Sequence, residues 1–171
     1  MMKFIGALLF ITTSSWIGFD LSKQLSRRTI QIRQLIQSIQ LLETEMSYSQ
    51  LTLQHTFQII SKKTDPPISL FYKKLAEDME GIVTDFITVW DEAITYLQQS
   101  SDLKQRELEV LKQFGRNLGQ HTFTEQQKHI VLTIHHLQHE LKEANERRQQ
   151  YEKMTKSLGV LIGILIVLLL I

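Results

Sequence analysis

The chain has 171 residues, 19 basic and 18 acidic, for a formal net charge of +1, and it holds no cysteine. The lack of thiols excludes disulfide frameworks, thiolate metal sites and cysteine nucleophiles, without fixing a redox compartment. All 18 acidic residues, and every basic residue except Lys3, lie between Asp20 and Lys156, so the middle of the chain sums to zero charge; a locally basic face could hide in that sum, but no segment looks like one, and nucleic acid is a poor expectation for a partner.

Apolar residues pile up at the two ends instead of spreading as a single globular core would spread them. Phe4 to Phe19 carries no charge, and a helix over residues 4–21 would be about 27 Å long, close to the roughly 30 Å hydrocarbon core. The segment reads as a signal anchor and not a cleaved signal peptide, because no small-x-small cleavage site precedes Asp20. Thr12, Thr13, Ser14, Ser15 and Gly18 interrupt this first transmembrane helix.

From Leu21 onward the apolar residues fall at Leu21, Leu25, Ile32, Leu35, Ile39, Leu42 and Met46, with Arg28 in the missing slot. This three-four alternation makes one helical stripe, so the first helix is expected to leave the membrane without a break. A turn near residues 47–52 leads to a short helix from about Leu53 to Ser61, which Asp65, Pro66 and Pro67 stop, because proline lacks an amide donor and restricts its predecessor. A helix over Ser69–Met79 follows. After Gly81, an amphipathic run places Phe86, Trp90, Ala93 and Leu97 on one side and ends at Ser100 and Ser101. Asp102 with Gln105 reads as the cap of the next helix, which turns Leu111, Phe114 and Leu118 inward and has Gly119 where a left-handed C-terminal residue is wanted.

Thr122 with Glu125 makes a capping box for the last helix. Its stripe is Ile130, Ile134, Leu137, Leu141, Ala144 and Tyr151, with Arg148 in the empty slot, and it points straight back into the membrane. Residues 154–171 form the second transmembrane helix, about 27 Å long if Lys156 snorkels its ammonium to the headgroups. Gly159 and Gly163 stand there in G-x-x-x-G spacing, which is either a helix contact or a chance recurrence.

The predicted fold is all-α: a cytoplasmic bundle of about six helices over residues 22–153, flanked by the two transmembrane helices. The two long helices enter the same membrane face and therefore lie side by side and antiparallel. Orientation follows from the flanking basic residues, Lys23, Arg27, Arg28 and Arg33 on one side and Arg147, Arg148, Lys153 and Lys156 on the other, against Lys3 outside.

Little in this pattern carries chemistry. His135, His136 and His139, with His129 and Glu140 nearby, offer a metal-like spacing, but a zinc-peptidase helix needs a glutamate just after its first histidine, and Leu137 and Gln138 follow here instead. The histidines read as a solvated helix face. Glu107 and Glu109, or Glu143 and Glu146, read as solubilising charge, with no loop between them to build a pocket. Gly115 and Gly119 have no G-K-S/T beside them, so no phosphate cradle forms. The expectation is no catalytic residue, metal, cofactor or small-molecule substrate.

Four stretches carry a resemblance: residues 3–19 (KFIGALLFITTSSWIGF), 33–48 (RQLIQSIQLLETEMSY), 113–130 (QFGRNLGQHTFTEQQKHI) and 153–171 (KMTKSLGVLIGILIVLLLI). Within the third, Phe114, Gly115, Leu118, Gly119, Gln126, Lys128 and Ile130 form an F-G-x-x-L-G then Q-x-K-x-I pattern. Over its whole length the chain resembles the stage III sporulation protein AB family of endospore-forming bacteria. It departs from the family's pattern at Thr122, where an aspartate is common, and at Leu51, Thr52 and Leu53, which replace a Thr-Pro-Leu. The resemblance implies a part of the complex that spans the envelope between mother cell and forespore, needed for late forespore gene expression. It also implies a likeness to the inner-membrane platform proteins of type II secretion and type IV pilus systems, and hence a secretion-type ATPase as partner. Two rivals are a platform subunit of another secretion or pilus-like machine and a membrane-anchored hydrolase built on the histidine cluster.

Overall fold

In the computed structural model, the backbone is described for residues 2–48, 52–80, 85–118 and 123–170, and the side chains for these apart from 2–19, 21, 48, 123–124, 152 and 155–170. Among them are six helices and no strand: α1 (Met2–Tyr48), α2 (Leu53–Lys63), α3 (Ile68–Asp78), α4 (Phe86–Ser100), α5 (Gln105–Asn117) and α6 (Phe123–Leu170). Each packs on its neighbour in chain order, and α6 closes on α1, so the helices form a ring.

The long helices run antiparallel, because Arg28 of α1 faces Glu140 of α6 while Glu43, further along α1, faces Gln127, earlier on α6. The expected stripes build this seam. Ile32, Leu35, Ile39 and Leu42 are fully buried on α1, and Ile130, Leu137 and Ala144 are buried on α6. The N-terminal part of α1 and the C-terminal part of α6 therefore leave the bundle at the same end. Among the described residues no helix is long and apolar enough to cross a membrane; the side chains of both apolar runs, with Lys156, Gly159 and Gly163, lie outside those residues.

The short helices begin and end where local chemistry stops them. Thr52 caps α2 by accepting a hydrogen bond from the His55 amide at 3.3 Å. Thr64 is extended at the other end, just before Pro66 and Pro67. Helix α5 opens at Gln105, later than the cap expected at Asp102. The Asp102 side chain is occupied elsewhere, accepting from Arg27 Nε at 2.8 Å, and its amide donates to Gln31 at 2.9 Å. Glu107 supplies the cap instead by accepting from the Lys104 amide at 2.9 Å. Helix α5 ends with the Leu118 amide bonded to the Phe114 and Gly115 carbonyls. Gly119 and Thr122, expected as caps on either side of this turn, lie outside the described residues.

Trp90 is the hub of the core. Its ring meets Phe71 edge-on at 5.4 Å, Phe114 at 5.9 Å, Phe86 at 5.7 Å and Phe57 at 6.2 Å, so one side chain joins α2, α3, α4 and α5. The indole N–H donates to the Leu111 carbonyl at 3.0 Å. That bond lays the ring flat on α5 one turn before Gly115.

Candidate functional site

The most unusual chemistry lies where α1, α5 and α6 meet. Arg28 and Glu107 are buried at 3% and 0% exposure, and an ion buried that deeply must be paired to be tolerated. Arg28 Nε donates to Glu107 Oε1 at 2.8 Å, and Nη2 donates to the same oxygen. The second oxygen of Glu107 is held by the Lys104 amide, so the carboxylate is both cap and counter-ion. Glu140 of α6 lies 3.6 Å from Arg28 Nη2, and its other oxygen lies 3.8 Å from Arg106 of α5. Arg106 reaches Glu143 at 3.4 Å, and Arg147 approaches Glu143 at 3.8 Å. Arg28 Nη1 is buried with no hydrogen-bond partner. The cluster joins three carboxylates and three guanidinium groups, and its physical effect is to fix three helices at one level.

Two expectations change here. Arg28, expected among the membrane-flanking basic residues, is buried, and its charge is spent inside the bundle on Glu107. Glu107 is not solubilising charge, because it is fully buried against Arg28. The remaining flanking residues are distributed as a surface would have them: Lys23, Arg27, Arg147 and Lys153 are exposed, and Arg148 is half-buried.

The F-G-x-x-L-G pattern belongs to the core. Phe114, Leu118 and Ile130 are buried, Gln126 is nearly so, and Lys128 is exposed. Gly115 is explained by Trp90: a Cβ there would stand 2.2 Å from the indole nitrogen and 2.3 Å from Cδ1. That close approach, invisible in the sequence, needs glycine irrespective of backbone conformation.

The histidines are dispersed over the outer face of α6. His135, His136 and His139 are exposed, and the rings of His135 and His136 are 6.4 Å apart at 80°. Among the described residues no three His, Cys, Asp or Glu side chains are grouped to hold a metal ion, so the hydrolase rival gains no support from this geometry.

A family model described as stage III sporulation protein AB matches residues 3–171. The chain belongs to the stage III sporulation protein AB family. It is 36% identical over 170 residues to stage III sporulation protein AB of Bacillus subtilis (strain 168), covering 99% of each chain. A solved structure of a stage III sporulation protein AB superimposes with a TM-score of 0.69 at 33% identity, covering 72% of this chain and 98% of that one. The resemblance read from the four stretches is thus one of membership, and a protein of stage III sporulation is what this helical bundle is similar to.

Proposed function

We propose that the chain is a non-enzymatic membrane scaffold in the channel complex between mother cell and forespore, required for sporulation and late forespore gene expression. Residues 4–21 and 154–171 anchor it in the mother-cell membrane around the forespore, and the cytoplasmic bundle, residues 22–153, docks a secretion-type ATPase and other subunits of the complex. The observation that carries this reading is the antiparallel pairing of α1 and α6. It brings the two apolar runs out of the bundle at one end, where a single bilayer can take both. Met154, an exposed apolar residue at 61%, and the exposed Lys23, Arg27, Arg147 and Lys153 lie along that exit, as expected next to headgroups on the cytoplasmic side.

The test is capture of the full-length chain from detergent-solubilised membranes of sporulating cells, with mass spectrometry of what is retained. Recovery of a secretion-type ATPase supports the docking role. A full-length, folded chain that retains other membrane subunits but no ATPase would remove the ATPase from the proposal.

A further inference from the structure

Charge is divided between opposite sides of the ring. Residues 21–42 of α1 expose Lys23, Arg27 and Arg33 with no carboxylate, Arg28 being buried, and residues 126–139 of α6 carry Lys128 and four histidines, again with no carboxylate. Residues 65–92, which hold α3 and the first half of α4, carry seven carboxylates against Lys73 and Lys74. Of these carboxylates, Asp65, Glu77, Glu80, Asp85 and Glu92 are exposed on the two helices or at their ends, with Lys73 drawn to 3.7 Å from Glu77. Because the packing order closes α6 on α1, the α3/α4 wall lies across the bundle from the α6/α1 wall.

The exposed large apolar side chains sort onto the same two walls. Ile30 of α1 and Val131 and Leu132 of α6 are 51%, 58% and 52% exposed, while Leu70 of α3 and Tyr96 of α4 are 39% and 37% exposed. Their heights along the bundle agree. The pairs Arg28–Glu140 and Glu43–Gln127 set the α1–α6 register so that Leu132 is level with Gln37. Leu70 is two residues from Tyr72, whose hydroxyl meets Ser38 at 3.0 Å, one residue from Gln37. Beside Leu70, a recess of about 410 Å³ opens between α2 and α3, bordered by Ala76, by Glu77 and Glu80, and by Lys62 and Lys73.

We propose that the α6/α1 wall of one copy docks on the α3/α4 wall of a second copy of this chain, as a head-to-tail lateral contact in the plane of the membrane. Opposite charges meet at the rim, and Leu132 enters the surface beside Leu70. A two-fold contact through either wall would instead set like charge against like. Since each copy keeps one wall free, the contact repeats and generates a ring wherever the rotation closes. The inference rests on the membrane-anchor reading, because a shared bilayer holds the copies upright and at equal height.

The chain has no cysteine, so single cysteines are read against a clean background. Two differently tagged full-length chains, one Leu132→Cys and one Leu70→Cys, are co-expressed, and the membranes are washed with alkaline carbonate and oxidised. The mixed disulfide is expected to exceed both same-site disulfides by about tenfold. Adding Glu77→Lys and Glu92→Lys to the Leu70→Cys chain should lower it by about tenfold, and Arg33→Glu with Lys128→Glu in the other chain should restore it. Dominant same-site disulfides, or chains retained in washed membranes without the mixed product, overturn the docking. Chains lost in the carbonate wash overturn the anchor itself, and with it the alignment that the docking needs.

Discussion

Gly115 is the residue whose role is plainest in energetic terms. Gly115→Ala would drive a methyl group into an indole that Phe57, Phe71, Phe86 and Phe114 hold in place. The expected cost is about 3 kcal/mol, at the upper end for overpacking, read as a lower urea midpoint by circular dichroism of the solubilised chain. The buried pair gives a sharper contrast. Arg28→Ala or Glu107→Ala alone should cost about 3–5 kcal/mol by leaving an unpaired buried charge, whereas Arg28→Met with Glu107→Leu should be near neutral in the same assay. Burial also raises the Tyr72 phenol to about 12 from the usual 10.0, partly offset by its bond to Ser38. The folded state thus favours the neutral phenol, so this contribution is complete below pH 10 and is lost as pH climbs toward 12. Roughly 2–3 kcal/mol of stability should disappear over that window, and Tyr72→Phe should flatten the slope. The sequence marked Arg28 as an oddity in an apolar stripe, yet its partner was not legible, because Glu107 is on another helix and only the packing of α5 on α6 and α1 brings it there.

At the scale of helices, most of the molecule was readable. The stripes on α1 and α6, the Pro66–Pro67 stop and the run from Phe86 to Leu97 are local periodicities, and each produced a helix within a few residues of its expected bounds. The start of α5 was misread for a tertiary reason: Arg27 and Gln31 of α1 claim the groups of Asp102 that a cap would use. The Thr52 cap lies where the family's Thr-Pro-Leu is altered: Leu51 replaces the threonine, and Thr52, in the proline's place, supplies the cap. Thr52→Ala should lower stability by about 1 kcal/mol through loss of the bond to the His55 amide, checked by the same urea titration, while Thr52→Ser should change little.

For the whole molecule, the decisive relation is the register of α1 against α6. The sequence implied two long antiparallel helices only by way of the membrane, and Arg28–Glu140 with Glu43–Gln127 now fixes the pairing independently of it. The double anchor and the lateral contact between copies, as proposed above, follow from both helices leaving the bundle at one end, and the proposed cytoplasmic position of the bundle follows from the basic residues that flank that exit. That arrangement is tested most directly by labelling the full-length chain with a membrane-impermeant thiol reagent, using Ser100→Cys at an exposed position on the bundle. The account predicts no labelling in intact cells and full labelling after permeabilisation; labelling of Ser100→Cys in intact cells would contradict it.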